Sequence, residues 1–127
     1  TDTAPVVLVG HCGPDAWMLK SMLGRAAPGH AIEMVNAAGE LEAVLDSAAL
    51  LVVNRVLDGA FASDSGVGLI ESIAGRDGRK PPMVLVSNLS DAQEQGERAG
   101  AQPGFGKNAL YDYETIERVR AAIEGGA

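Results

Sequence analysis

Asn54 closes the apolar run Leu50-Leu51-Val52-Val53-Asn54. In a parallel sheet the carboxyl ends of the strands form the natural site. A carboxylate at such a place would serve as a nucleophile, whereas an amide is a very poor one. The residue that best occupies a catalytic position therefore argues against catalysis, and no enzymatic activity is expected. A second apolar run, Pro5-Val6-Val7-Leu8-Val9, leads into Gly10-His11-Cys12-Gly13. The His11-Cys12 pair suggests metal or thiol chemistry, but zinc takes three or four ligands. The only other histidine, His30, is expected to begin a strand at the far edge of the sheet, so no metal and no cofactor is expected. Cys12 precedes a predicted helix N-terminus, which lowers a thiol pKa. A thiol redox switch at Cys12 is thus an alternative function, although no second cysteine is present to resolve it. The glycines after Val9 do not spell a dinucleotide fingerprint, and no acid ends the second strand to hold a ribose. Ser87 and His11 lack a nucleophile elbow, which excludes a hydrolase of that type.

Five short apolar runs alternate with helix-like stretches. Pro5 to Val9, Ala31 to Val35, Leu50 to Asn54, Pro82 to Ser87 and Gly104 to Gly106 read as strands. Asp15 to Arg25 reads as a helix whose inner face is Met18, Leu19, Met22 and Leu23, with Pro14 in its first turn. Glu40 to Ser47 turns Leu41, Val44 and Leu45 inward, and Gly66 to Gly75 does the same with Leu69, Ile70 and Ile73. Arg55 to Ser65 is a long loop of small residues. Ser90 and Gln93 have the spacing of a capping box for a helix through Ala99 that is nearly all polar or small. Asp112 is expected to cap the last helix, with Ile116, Val119 and Ile123 inward and Glu114–Arg118 as an i, i+4 pair. Apolar strands alternating with helices indicate a parallel sheet covered on both faces. The pattern predicts an α/β flavodoxin-like doubly wound (βα)5 domain over residues 5–124, with strand order 2-1-3-4-5.

The chain has 127 residues, of which 46% are hydrophobic and only 4% aromatic, so the core must be mostly aliphatic. The formal net charge of −7 disfavours a nucleic-acid surface, which needs a clustered basic face. No apolar stretch approaches the length of a membrane span. A single cysteine excludes an internal disulfide and suggests a reducing, cytoplasmic setting. Thr1-Asp2-Thr3-Ala4 reads as an edge of the folded unit, and Gly125-Gly126-Ala127 as a linker start or a simple end.

Two short motifs carry a resemblance. Val84-Leu85-Val86-Ser87 is a strand ending in Ser, and Gly100-Ala101 is followed six residues on by Lys107. With the strand ends in this order, residues 5–124 resemble the receiver domain of bacterial response regulators. The resemblance implies a phosphoacceptor aspartate ending the third strand and two acids ending the first strand that help bind Mg²⁺. It also implies a Ser or Thr and a Lys that contact the phosphoryl group. Mg²⁺ wants hard oxygen ligands, and phosphoryl transfer wants a nucleophile and charge neutralisation.

Here the acceptor position holds Asn54 and the acidic-pair positions hold Gly10 and His11, so all three carboxylates are absent. Ser87 and Lys107 match their roles. Asn88 replaces a usual small residue, Val56 and Leu89 replace frequent polar ones, and Gly104 stands at the switch aromatic, with Phe105 facing the other way. The usual Pro after the Lys is Asn108, for which a trans bond is expected because cis costs ~3 kcal/mol without proline. The site expected is thus a degenerate pocket of Gly10, His11, Asn54, Ser87 and Lys107. Lys107 would turn to solvent, pair with Asp58 or Asp15, or bind an anion. Asn54 would be a locked mimic of one phosphorylation state, or an amide that ties down the strand end and loop; an uncharged amide mimics phospho-Asp poorly but can hydrogen-bond Ser87 or Lys107. The function expected is a pseudo-receiver that acts by protein–protein contact without Asp phosphorylation. Its partner, a signalling protein, an output domain or a second copy, would dock on the helices Ser90–Ala99 and Asp112–Glu124. A small-anion or nucleotide-sensing module of the same fold is a further alternative.

Overall fold

A computed structural model describes residues 4–125; the residues read as an edge (1–3) and the last two of the possible linker (126–127) lie outside it. The elements are β1 (Val6–Val9), α1 (Gly13–Ala26), β2 (Ile32–Val35), α2 (Ala38–Val44), β3 (Leu50–Asn54), α3 (Gly66–Ala74), β4 (Met83–Val86), α4 (Ser90–Ala99), β5 (Gln102–Phe105) and α5 (Tyr113–Gly125). The five strands form one parallel sheet in the order β2-β1-β3-β4-β5, the doubly wound order that the sequence pattern predicts.

Alternation along each strand divides the core into two layers. Val6, Leu8, Leu50, Val52, Val84, Val86 and Phe105 pack with Leu19, Met22 and Leu23 of α1 and Val119 and Ala122 of α5. Val7, Val9, Leu51, Val53, Met83 and Leu85 pack with Leu41 of α2, Ile70 and Ile73 of α3, and Ala92 of α4. β1 and the apolar run Leu50–Val53 of β3 are fully enclosed, as continuous apolar runs require. The sheet is therefore a rigid base from which the strand ends project.

Some boundaries differ from expectation for local reasons. α1 starts at Gly13, with Cys12 as its N-cap and Pro14 in the first turn. α2 stops at Val44, and the carbonyls beyond it are held by Arg79, whose guanidinium donates to Leu45 O, Asp46 O (2.9 Å) and Ala48 O (2.9 Å). The expected capping box of α4 does not form: Leu89 is the N-cap and no side chain caps it. Gln93 instead turns its amide nitrogen toward the strand ends, within hydrogen-bond distance of the carbonyls of Leu85 (2.9 Å), Ser87 (3.1 Å) and Phe105 (3.2 Å). Carbonyls at the end of a sheet need donors, and that demand outweighs the cap. In α5 the Glu114–Arg118 pair forms, and Arg118 also donates to Gly104 O, joining the helix to β5.

Candidate functional site

β3 lies between β1 and β4, so Asn54 stands between the ends of those two strands. Its amide nitrogen donates to Gly10 O (3.0 Å), beyond β1, and to Val56 O (2.8 Å), in its own loop. The side chain thus staples the end of β3 to the end of β1 and turns the chain. No hydrogen bond joins it to Ser87 or Lys107 among the described residues, so the strand-end role is the one the geometry selects.

On the β1 side the rim is closed by packing. Gly10 has φ +74, and a Cβ placed on it would lie 2.6 Å from the Cδ2 of Leu57. Leu57 itself is only 6% exposed and belongs to the α2/α3/α4 layer of the core. The backbone N–H of Asp58 donates to Gly10 O (2.9 Å), while the Asp58 side chain stays exposed. The loop is fixed at two further points, Leu57 N–H to Asp64 O (2.7 Å) and Ala60 N–H to Asn36 O (2.8 Å). The long loop after Asn54 is therefore held down on Gly10 by one side chain, Leu57.

His11, the next residue, is fully buried. Its Nε2–H donates to Val52 O (2.8 Å), which leaves Nδ1 as an acceptor with no partner among the described residues. Its own carbonyl accepts from the Asn36 side chain (3.0 Å). Burial holds the imidazole pKa below its usual 6.5, so the ring is neutral in the folded chain. Neither Gly10 nor His11 lines the neighbouring cavity.

On the β4 side the rim is open. A cavity of about 410 Å³ is lined by Asn54, Val56, Ser87, Asn88, Leu89 and Lys107, together with Arg55 and Val86. Of the five expected site residues, the fold brings Asn54, Ser87 and Lys107 together here. Ser87 Oγ accepts from Leu89 N–H (3.1 Å), and Asn88 Oδ1 accepts from Asn108 N–H (3.0 Å). No described peptide bond is cis, so the bond before Asn108 is trans. Lys107 is ion-paired with Asp15, one of the two acids expected to reach it. That ammonium, more than any other neighbour, holds the Asp15 carboxyl below its usual range; burial opposes the shift and the Cys12 thiol adds a smaller contribution.

The position of the switch aromatic is filled in another way. A Cβ on Gly104 would lie 2.2 Å from Leu85 O and 2.7 Å from Gln93 Oε1, while Phe105 is buried against α1 and α5. Leu57 and Gln93 are the site residues that sequence reasoning missed. The available signals were a large aliphatic residue in a loop of small ones, and an unpaired polar residue on the inner side of α4.

Comparisons with known proteins bear on the fold. No family model and no curated protein matches the sequence. Solved structures do. The signal receiver domain of a DNA-binding response regulator from Colwellia psychrerythraea superposes with TM-score 0.75 at 15% identity, covering 94% of this chain and 98% of that one. A response regulator receiver protein from Pseudoalteromonas atlantica gives 0.71 at 20% identity, covering 96% and 98%. NtrX from Brucella abortus gives 0.73 at 21% identity, covering 97% of this chain and 28% of the other. The chain has the fold of a response regulator receiver domain. Among the described residues, no helix is long and apolar enough to cross a membrane.

Proposed function

We propose that this chain is a signalling module of receiver fold that works through protein contacts and is not switched by aspartyl phosphorylation. The observation that carries this reading is the packing of Leu57 on Gly10, beside an acceptor position stapled as an amide. A metal-binding carboxylate at Gly10 would need both a strained backbone and the space that Leu57 fills. Gln93 supports the same reading, because its clamp on three strand-end carbonyls stands where the fold's moving aromatic would be.

The contact surface we propose is α4 with α5. Between its ends α4 buries only Ala92 and Gly96 and exposes Glu94, Glu97 and Arg98. Elements that bury little of themselves dock or move most readily. In NtrX the matched region is only part of a longer chain, which fits an output domain as one kind of partner; a separate signalling protein or a second copy uses the same face. A cytoplasmic setting without enzymatic turnover belongs to this proposal. The test is titration with Mg²⁺ and beryllofluoride, followed by amide chemical shifts. Unmoved signals at Asn54, Ser87 and Lys107 are expected, and saturable local shifts would overturn the reading.

A further inference from the structure

The cavity on the β4 side is what remains of the strand-end site once the β1 side is closed, and its lining describes a ligand. It has two cations, Arg55 and Lys107, and no acid, on a chain whose formal charge is −7. Lys107 is already neutralised by Asp15. Arg55 is exposed, and although its backbone bonds Val86 and Gly66, its side chain makes no hydrogen bond or ion pair among the described residues, so its guanidinium is the unspent charge of this lining. Ser87 uses its oxygen as an acceptor and keeps its hydroxyl proton to donate, and Asn88 likewise keeps its amide N–H groups. Facing these donors are apolar walls: Val56 is 48% exposed and Leu89 55% exposed. About 410 Å³ is a volume suited to a small organic molecule.

We propose that this cavity binds a small organic carboxylate with an apolar body. The carboxylate sits on Arg55, whose planar fork matches it in geometry, with the Ser87 hydroxyl and the Asn88 amide as further donors. The apolar body covers Val56 and Leu89. A phosphate dianion is a poorer match, because a single unpaired cation and two apolar walls meet it. The inference goes beyond the partner-contact reading and does not depend on it: the loops carrying Leu89 and Val56 border α4, so an occupant here also reaches the start of the proposed docking face.

Benzoate is the probe, with acetate and inorganic phosphate as comparators, each titrated against the intact chain and followed by amide nitrogen–proton spectra. The expected result is saturable shifts confined to residues 54–56 and 87–89, with benzoate binding more tightly than acetate or phosphate. Arg55→Gln is expected to weaken benzoate at least about tenfold, the scale of a charge-assisted hydrogen bond. Arg55 is exposed, so the variant folds, and an unchanged melting temperature checks this. Absence of saturable shifts, phosphate binding as tightly as benzoate, or undiminished binding in Arg55→Gln would each overturn the proposal. None of these outcomes bears on beryllofluoride silence, so the two readings fail separately.

Discussion

β1 and β4 both pair with β3, and their ends flank the same residue, yet they finish in opposite ways. Beyond β1, Gly10 is covered by Leu57 and His11 is sealed in the core. Beyond β4, Ser87 and Asn88 open onto a cavity with spare donors. The contrast teaches that two ends flanking one residue can differ in kind, one packed and one open. One side of the rim is packed with hydrophobic side chains, while the other has a polar lining. Asn54 is the hinge of the contrast, because its amide holds the closed side shut and its position still borders the open one.

The largest expected effect breaks the closed side directly. Gly10→Ala places a Cβ against Leu57 at a positive φ, and we expect a loss of about 3 kcal/mol and a melting temperature lower by roughly 10 °C. Thermal unfolding measures it; an unchanged midpoint means that Leu57 is not packed on Gly10. The same substitution on the two sides sharpens the comparison. Leu57→Ala should cost about 2–4 kcal/mol as a buried truncation, whereas Leu89→Ala, exposed on the open side, should stay within about 0.5 kcal/mol. Equal costs in denaturant titrations would erase the distinction.

A smaller effect is pH-dependent. His11 has a folded pKa below the 6.5 of the free side chain. Below about pH 6.5 the unfolded chain takes up a proton that the folded chain refuses, so stability falls as pH drops through that value. The slope from this residue is at most about 1.4 kcal/mol per pH unit. His11→Gln should flatten the pH dependence of stability between neutrality and mild acid; a profile unchanged by the substitution would place His11 in water. The smallest effect lies between the sides. A double-mutant cycle on Asp15→Asn and Lys107→Met should give a coupling of about 1 kcal/mol, modest because both side chains are partly exposed.

How much of this was legible from sequence divides along the same line. β1, β3 and β4 were legible because each holds a run of β-branched and aliphatic residues enclosed on both faces, as Leu50 to Val53 and Val6 to Val9 are, whereas β2 and β5 are half exposed and β5, read as Gly104 to Gly106, runs from Gln102 to Phe105. Asn54, Ser87 and Lys107 border one cavity because strand ends and the turn after β5 fix their positions. Gly10 and His11 follow the end of β1, but neither lines the cavity: Leu57, a loop residue whose direction no periodicity reveals, covers Gly10, and His11 is buried in the core. Gln93 was misread for a similar reason: capping is a local rule, and the carbonyls that recruit its amide come from β4 and β5. The Lys107–Asp15 pair was one of several options until the fold set α1 beside the turn after β5.

The central claim, that the closed β1 side removes phosphoryl chemistry, is tested most directly by restoring the acceptor alone. Asn54→Asp is incubated with acetyl phosphate and Mg²⁺, and the intact mass is read. No phosphoryl adduct is expected, because Gly10 and the buried His11 supply no metal-binding carboxylate and Leu57 fills the space at Gly10. A stable, Mg²⁺-dependent adduct on Asp at position 54 would contradict it.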